Sequence, residues 1–357
     1  MIRRTKIVVA MSGGVDSSVA AALLKEQGYE VIGVMLRLWS EPGKEESNRC
    51  CTPESVVLAR RAAAQLDIPF YVLDAKDGFR ATVVQTFIDG YCRGETPNPC
   101  LECNRKMRWT FLLEHAQALG ADLMATGHYA QLDHDPTGKV RLLRAADLSK
   151  DQSYVLHVLN QDQLRRTVFP LGVYAKTEVR SLASRHGLPM ATRHDSQDLC
   201  FLAGGDYRDF LRRHGPQILI PGLIVDTAGG ALGEHNGLAN YTIGQRKGLH
   251  VPSPVPLYVI RKEVRENRLV VGEQRELGTN SLMTGEVNWL AGEPMPEPFR
   301  AQVKTRYTAA ERHAVVTPLE GGRRVRIEFD EKQRDVTPGQ AAVFYVENVV
   351  LGGGIIQ

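Results

Sequence analysis

Long apolar runs are absent from this sequence of 357 residues. No segment approaches the roughly 20 consecutive apolar residues that a membrane-spanning helix needs, so we expect no membrane partner. The first residues, MIRRTKIVVAMSGG, are basic and then apolar, but the apolar run is short and leads straight into two glycines. We therefore expect a first strand there and not a signal peptide. The length suffices for two or three domains.

A strong excess of one charge is also lacking, because 44 basic residues stand against 41 acidic ones, for a net charge of +3. That balance alone does not predict a nucleic-acid partner. Basic residues cluster locally in NRKMR, DFLRRHG, GQRKG and GRRVR, and Trp109, Phe210 and Tyr307 lie near such clusters. These clusters predict salt-dependent contacts with phosphates, although any single one is equally consistent with a solvated surface.

Cysteine is scarce, and none follows residue 200. The six cysteines are Cys50, Cys51, Cys92, Cys100, Cys103 and Cys200. A secreted disulfide scaffold would be short and evenly cross-linked, so this pattern predicts a cytoplasmic protein. We expect Cys50, Cys51 and Cys92 to be small buried hydrophobic residues. Cys100 and Cys103 form a Cys-x-x-Cys pair, but a zinc site would need further ligands at suitable spacing.

The first half of the chain alternates short apolar runs with helical patterns. Strands are predicted at KIVVAM, EVIGVMLRLW, PFYVLDA and DLMATGH, and helices over 15–27, from Thr52 and Pro53 onward, over 82–91, 104–119 and 176–186. This order predicts an α/β domain over residues 1–205, with a parallel sheet flanked by helices on both faces. Ligands bind at the carboxyl ends of such strands, so we expect Ser12, Leu36 and His128 to gather there.

The second half is rich in glycine, proline and short alternating runs. LYVIRKEV, RLVVGE, RAQVKTRYT and RRVRIEF are typical of strands, and VKTRY alternates within one of them. We therefore predict two small β-rich, barrel-like domains, a central one over residues 206–278 and a C-terminal one over residues 279–357.

The segment SGGVDSS, residues 12–18, lacks the lysine of the common phosphate-binding loop and also lacks the dinucleotide glycine pattern. A strand, two glycines and a helix start still place backbone N–H groups and a helix dipole around one point. The segment resembles the loop of the ATP pyrophosphatase superfamily, whose members adenylate a substrate and release pyrophosphate. The resemblance implies ATP binding, with Asp16 positioning Mg²⁺ and with Ser12, Ser17 and Ser18 donating hydrogen bonds. The alternative is a tight strand–helix turn.

Two cysteines have surroundings that suggest chemistry. We predict that Cys103 stands just before a helix that contains Arg105, Lys106 and Arg108; a helix N-terminus and nearby cations lower the pKa of a thiol. Cys200 stands two residues after Asp198 and directly before the apolar Phe201, so its electrostatic environment is harder to predict.

Nine segments in order, SGGVDSS, TPNPCLECN, ATGHY, SKDQSY, DSQDLCF, TIGQRKGL, VKTRY, TPGQAAVFY and LGGGII, resemble the bacterial tRNA-specific 2-thiouridylase family. The resemblance runs from the first strand to the C-terminus. Enzymes of this family replace oxygen by sulfur at C2 of the wobble uridine in the tRNAs for Lys, Glu and Gln. The resemblance implies adenylation of the substrate by ATP with Mg²⁺, release of AMP and pyrophosphate, and sulfur carried as a persulfide. It also implies a cysteine desulfurase or a sulfur-relay protein as the sulfur donor, and a reductant.

The resemblance also implies residue roles. Cys103 would be the nucleophile and Cys200 would carry the persulfide. The residues implied to contact ATP are Ala10, Met11, Ser12, Gly13, Gly14, Val15, Asp16, Ser17, Leu36 and Gly127. Those implied to line the pocket for the target base are Asn98, Pro99 and Cys100. Those implied to contact tRNA are His128, Lys150, Asp151, Gln152, Arg306, Tyr307 and Gln340. From the residues alone, His128 is equally a neutral capping histidine, and residues 150–152 are equally ordinary surface residues.

The sequence departs from the family at Cys100, where well-known members have an aspartate that is a candidate acid/base. Three thiols, Cys100, Cys103 and Cys200, are also candidate ligands of a 4Fe–4S cluster with one open iron. Two competing functions remain at this point: a synthetase of the same superfamily acting on a small molecule, and a non-catalytic tRNA-binding or iron–sulfur protein. The first does not explain two cysteine motifs or the β-rich second half.

Overall fold

The protein is known here from a computed structural model, which describes residues 4–43, 52–190, 199–202, 204–334 and 336–357. Cys50 and Cys51, and the Asp198 that precedes Cys200, lie outside the described residues. Three sheets of five, four and eight strands account for the strands of the described residues. The predicted fold class, a parallel α/β domain followed by β-rich domains, is confirmed.

The elements follow one another closely along the chain. The strands are β1 Lys6–Ala10, β2 Glu30–Arg37, β3 Phe70–Asp74, β4 Leu123–Thr126, β5 Gln131–His134, β6 Val140–Leu143, β7 Thr167–Val168, β8 Gly222–Val225, β9 Ala231–His235, β10 Leu257–Glu263, β11 Arg268–Glu273, β12 Thr279–Trp289, β13 Phe299–Lys304, β14 Arg312–Leu319, β15 Arg324–Gln333, β16 Ala341–Val346 and β17 Val349–Ile356. The α-helices are α1 Val15–Glu26, α2 Pro53–Gln65, α3 Lys76–Phe79, α4 Gln85–Cys92, α5 Pro99–Glu102, α6 Leu113–Ala118, α7 Ser153–Leu156, α8 Gln161–Arg165, α9 Lys176–Arg185 and α10 Tyr207–His214. Two π-helical segments, Arg80–Val84 and Cys103–Leu112, join α3 to α4 and α5 to α6.

The five-stranded sheet has the order β3-β2-β1-β4-β7, and its paired strands are parallel. The central strand β1 is buried on both faces, with Ile7 and Val9 in one apolar cluster and Val8 in the other. This alternation explains why its sequence reads as a continuous apolar run. Thr52 caps α2 as predicted, since its hydroxyl accepts a hydrogen bond of 3.1 Å from the Ser55 backbone N–H.

The eight-stranded sheet has the order β12-β15-β14-β13-β16-β17-β6-β5. An additional pairing of β12 with β17 closes six of these strands into a barrel. Closure removes the exposed edges that an open sheet would present. The hairpin β5–β6 comes from the N-terminal half of the chain and extends this sheet at β17. The central sheet, β10-β11-β8-β9, is separate from both others.

Three local predictions are wrong. The helix expected from residue 104 begins at Pro99, because Asn98 caps it and proline fits the first helical turn, so Cys103 lies inside the helix and not before it. Strand β13 ends at Lys304, which leaves Arg306 and Tyr307 in the turn that follows. Helix α10 is an eight-residue helix where no helix was expected.

Among the described residues, no helix combines the length and the apolar composition that crossing a bilayer requires.

Candidate functional site

The glycine loop lies at the carboxyl edge of the parallel sheet, between β1 and α1. Gly13 has a φ of +74°, and a Cβ there would lie 2.3 Å from the Ser55 carbonyl oxygen, so only glycine fits. The Ser12 backbone N–H donates to Ser17 Oγ at 3.1 Å, and Ser18 Oγ donates to the Gly14 carbonyl at 3.0 Å. Gly14 is the N-cap of α1 and makes no side-chain hydrogen bond to the first turn of this helix. The loop is therefore built to receive an anion.

Residues of neighbouring strands surround this loop. Register places Ala10 beside Val34 of β2 and Thr126 of β4, so Leu36 and Gly127 lie just beyond the same edge. A Cβ on Gly127 would lie 2.7 Å from the Ser17 backbone nitrogen, which shows how closely the two segments approach. Met11 and Val15 are buried in the apolar cluster of the sheet and support the loop from below. The expected ATP-contact residues are therefore close together, but Met11 and Val15 are buried beneath the loop.

Asp16 is held by two residues that the sequence did not identify. Lys176 Nζ, on α9, donates to both carboxylate oxygens of Asp16 at 2.7 and 2.8 Å. The Tyr129 hydroxyl donates to the same carboxylate at 2.9 Å. The start of a predicted helix at Lys176 was the available signal, but its pairing with Asp16 depends on how α9 packs against α1.

Cys103 and Cys200 contact the same buried aromatic cluster, although 97 positions separate them in the sequence. The cluster is formed by buried side chains that include Phe79, Phe87, Phe201 and Phe210. Phe201 packs edge-on against Phe87 at 5.2 Å and Phe210 at 5.3 Å between ring centroids, which fixes the residue next to Cys200. The two thiols expected to react with each other therefore pack against the same cluster.

The unpredicted helix α10 anchors this region. Glu41, after β2, is only 6% exposed and binds two side chains of α10. Its carboxylate accepts from Arg213 Nη2 at 2.8 Å and lies 2.9 Å from His214 Nε2. Trp39 packs edge-on against Phe210. These contacts hold α10, and with it the Cys200 segment, against the end of β2.

Cys100 differs from the other two thiols because it is exposed. It lies in the first turn of α5, where its backbone N–H donates to Asn98 Oδ1 at 3.1 Å, while Pro99 is buried. Within the described residues, no three His, Cys, Asp or Glu side chains lie close enough together to hold a metal ion. Cys92 is half-buried at the edge of the aromatic cluster, so the expectation of a fully buried residue is only partly met.

His128 is buried and enclosed by protein side chains. Its Nε2 lies 2.7 Å from an Arg108 nitrogen, and its Nδ1 lies 2.7 Å from the Thr126 hydroxyl. Arginine can only donate, so Nε2 accepts and Nδ1 carries the proton. Burial, assisted by the Arg108 charge, holds the pKa of His128 well below its ordinary value. These contacts favour a neutral, structural role for His128 over a contact with tRNA.

Two of the other expected tRNA contacts, Asp151 and Gln152, form hydrogen bonds within the protein. The buried Asp151 accepts from the Ala145 backbone N–H at 3.0 Å and from Ser153 Oγ at 2.7 Å. Gln152 Oε1 accepts from the Tyr129 backbone N–H at 3.0 Å. Lys150 is half-buried, and it stands in the sequence between an exposed Ser149 and the buried Asp151. Asp151 and Gln152 therefore shape the loop beside the glycine loop.

The barrel brings its expected tRNA-contact residues to the Cys100 loop. Tyr307 is 38% exposed, and burial, with the nearby charges of Asp151 and Cys100, raises its pKa. Gln340 Nε2 donates to the Thr96 carbonyl at 2.6 Å, two residues before Asn98. Arg306 contacts the Thr337 hydroxyl in the same barrel loop. Residues far apart in sequence thus converge around the expected base pocket.

Comparisons with known proteins agree along the whole chain. Residues 5–204 match a family model described as the tRNA methyl transferase HUP domain, residues 208–273 one described as the tRNA methyl transferase PRC-barrel domain, and residues 279–356 one described as the aminomethyltransferase beta-barrel domain. A tRNA-specific 2-thiouridylase of Moorella thermoacetica is 48% identical over 98% of this chain and 99% of its own length. Its counterpart in Magnetococcus marinus is 46% identical over the full length of both chains.

Proposed function

Because this chain belongs to the family of tRNA-specific 2-thiouridylases, we propose that it replaces the C2 oxygen of the wobble uridine by sulfur in the tRNAs for Lys, Glu and Gln. Membership makes the protein an ATP-using tRNA sulfurtransferase. The methyl transfer in the names of two family models does not match the curated relatives, which are named as thiouridylases. The observation that carries the proposal is that Cys103 and Cys200, 97 residues apart in the sequence, pack against the same apolar cluster.

The first step of the proposed reaction activates a poor leaving group. The uracil C2 oxygen attacks the α-phosphorus of ATP, and pyrophosphate leaves. The anion-receiving loop at Ser12–Ser17 supports binding of the β- and γ-phosphates by backbone N–H groups. Asp16 fits a role beside Mg²⁺, which commonly takes one or two carboxylates together with phosphate oxygens and water.

The second step transfers sulfur from a persulfide on Cys200. In one route, the Cys103 thiolate attacks Cys200 Sγ, the inner sulfur of the persulfide, which forms a Cys103–Cys200 disulfide and releases the outer sulfur as hydrosulfide. The hydrosulfide then attacks C2 as AMP leaves. In the other route, the terminal persulfide sulfur attacks C2 directly and AMP leaves. Cys103 then attacks Cys200 Sγ, which breaks the sulfur–sulfur bond and leaves the outer sulfur on C2. Both routes end in a disulfide, so each cycle needs two electrons from an external reductant. We propose a cysteine desulfurase or a sulfur-relay protein as the donor.

The alternative route, thiolation by a 4Fe–4S cluster on Cys100, Cys103 and Cys200, has weaker support. Such a cluster needs its cysteine ligands close to one another. Among the residues that the structure describes, these three cysteines do not form a group that could hold a metal ion. We therefore derive no step through a cluster. The departure at Cys100 also leaves the acid/base role of the family's aspartate without a carboxylate at this position.

The recognition of tRNA is proposed to involve the barrel and the loop before α5 together. Tyr307 lies near Cys100, Gln340 binds the Thr96 carbonyl in the loop before α5, and Arg306 contacts Thr337 in the barrel. We propose that Asn98, Pro99 and Cys100 line the pocket for an extruded base, the usual way in which an enzyme reaches ring atoms. The division of the chain at residues 205 and 278, the cytoplasmic location and the individual tRNA contacts stay predictions.

The experiment that tests this function supplies the pure protein with Mg·ATP and unmodified tRNA, and measures pyrophosphate release. Release that depends on a tRNA for Lys, Glu or Gln supports the proposal. Equal release with a tRNA that has no wobble uridine, or release without any tRNA, would contradict it. A synthetase for small molecules would give no tRNA-dependent release, because its own substrate is absent from the assay.

A further inference from the structure

The nucleotide loop, residues 12–18, contains neither lysine nor arginine. In the common phosphate-binding loop, a lysine reaches the β- and γ-phosphates. We propose that Lys176, brought in by α9, takes this role here and binds the β- and γ-phosphates of ATP. The inference rests on the proposed use of ATP and adds the cation that the loop itself lacks.

Lys176 is placed beside the loop by the packing of two helices. It is the first residue of α9, and its backbone N–H donates to Asp147 Oδ2 at 3.1 Å. Val179 of α9 is buried in the same apolar cluster as Val19 and Leu24 of α1, the helix that begins at the loop. The base of the Lys176 side chain is therefore fixed, while the four-carbon stem gives its ammonium room to change partners.

The electrostatic arrangement around Lys176 favours an anion. Cations are unfavourable at a helix N-terminus, yet Lys176 stands at the start of α9 and reaches the first turn of α1. Two positive helix ends and one ammonium therefore meet beside Asp16. The triphosphate of a nucleotide would supply the further negative charge that this arrangement favours.

The contact with Asp16 keeps the Lys176 ammonium beside the loop. The Lys176 side chain is 11% exposed and the Asp16 side chain 33%, so the pair is shielded on the lysine side and open on the carboxylate side. Asp16 keeps the Tyr129 hydroxyl as a partner if the lysine leaves. Because Mg²⁺ arrives with ATP and Asp16 suits it, Lys176 exchanges the carboxylate for phosphate oxygens.

Calorimetric titration of the full-length protein tests this inference without tRNA or a sulfur donor. The ligands are AMP and a Mg²⁺ complex of an ATP analogue with a methylene group between the α- and β-phosphorus atoms. The variants are Lys176→Met, which removes the charge, and Lys176→Gln, which removes the charge but can still donate to Asp16. Lys139→Met is the matched control, since Lys139 Nζ lies on the surface, 4.0 Å from Glu293.

We expect both Lys176 variants to raise the Kd of the analogue about tenfold or more, because each loses a charge-assisted contact. AMP, which lacks the β- and γ-phosphates, should bind within about twofold of wild type, and Lys139→Met should match wild type. Equal weakening for AMP and the analogue, or wild-type affinity in Lys176→Gln, would overturn the inference and leave Lys176 as a brace for Asp16. An unchanged Kd in Lys176→Met would also overturn it. Failure of the wild-type protein to bind the analogue would overturn the proposed function instead.

Discussion

At the scale of single residues, the three thiols near the site are not equivalent. Cys103 and Cys200 contact one aromatic cluster, whereas Cys100 is exposed in the first turn of α5. A persulfide route needs two thiols that meet, and a cluster route needs three. This difference gives the sulfur chemistry a direct test.

We predict that Cys100→Ser and Cys100→Asp retain tRNA thiolation, whereas Cys103→Ser and Cys200→Ser each lose it. The aspartate variant restores the residue of well-known family members. Thiolated tRNA is measured by its retardation in a gel that contains a mercury reagent, and iron is measured in the same preparations. A wild-type protein that requires bound iron, together with an inactive Cys100→Ser, would show that the cluster route is the correct one.

A buried histidine predicts how stability depends on pH. His157 is buried, its Nδ1 lies 2.7 Å from the Tyr154 carbonyl, and burial lowers its pKa from 6.5 to about 4. The unfolded chain therefore binds this proton more readily, and stability falls as the pH drops from about 6.5 towards 4. Between pH 7 and pH 5, the titration of this residue should lower the free energy of unfolding by about 2 kcal/mol.

Urea unfolding at the two pH values measures this effect. His157→Asn, which keeps a donor near the Tyr154 carbonyl but does not titrate, should lose about 2 kcal/mol less than wild type on acidification. An identical loss in both proteins would show that His157 is not the group responsible. His128, whose pKa is also lowered by burial, stays in both proteins and cancels in the difference.

At the scale of elements, a barrel loop supports the segment that leads into α5. The Thr96 backbone N–H donates to the Pro338 carbonyl at 2.8 Å, and Gln340 donates to the Thr96 carbonyl. Between them, Gly339 has a φ of +88°, and a Cβ there would lie 2.8 Å from Glu95 Cβ and 3.0 Å from the Thr96 nitrogen. The barrel therefore fixes the loop before Asn98 and Cys100.

We predict that Gly339→Ala displaces this loop and lowers tRNA thiolation at least about tenfold, because the misplaced base pocket affects the reacting geometry. Gly138→Ala is the matched control: Gly138 also has a positive φ, +82°, but nothing lies within 4 Å of its Cβ position. Alkylation of the exposed Cys100, read by mass spectrometry, should change rate only in Gly339→Ala. Equal effects of both substitutions would mean that backbone strain alone is responsible.

The elements also show what the sequence could predict. The strands β1 to β4 and the helix α1 follow from apolar runs, capping residues and glycines, which are local signals. Helix α10 was missed because its apolar residues, Phe210 and Leu211, are few and stand among charges. The pairing of Lys176 with Asp16 and the neighbourhood of Cys103 and Cys200 depend on tertiary packing, which no local pattern encodes. The motif resemblance identified the loop and both cysteines but not the lysine.

At the scale of the whole molecule, the N-terminal half and the barrel share a sheet. Strand β6 pairs with β17, and Arg144, which follows β6, is 7% exposed. Its guanidinium lies 3.9 Å from the centroid of the Tyr345 ring, donates to Gln302 and binds Glu311. These contacts join residues of the nucleotide-binding part to residues of the barrel.

We predict that Arg144→Met lowers the free energy of unfolding by about 2 kcal/mol, because it removes the partner of a mostly buried carboxylate. Arg141→Met is the matched control, since Arg141 pairs with Asp133 at a more exposed position. Denaturant unfolding measures both values. A loss in Arg144→Met no larger than in Arg141→Met would show that this junction is not a source of stability.

The central claim is that one chain uses ATP and two cysteines to place sulfur on a tRNA uridine. The measurement that tests it most directly incubates the iron-free protein with Mg·ATP, a persulfide donor, a reductant and unmodified tRNA for Lys, Glu or Gln, and then runs the mercury gel. We predict retarded tRNA that disappears when ATP is omitted and in Cys200→Ser. Retarded tRNA without ATP, or undiminished thiolation in Cys200→Ser, would contradict the account.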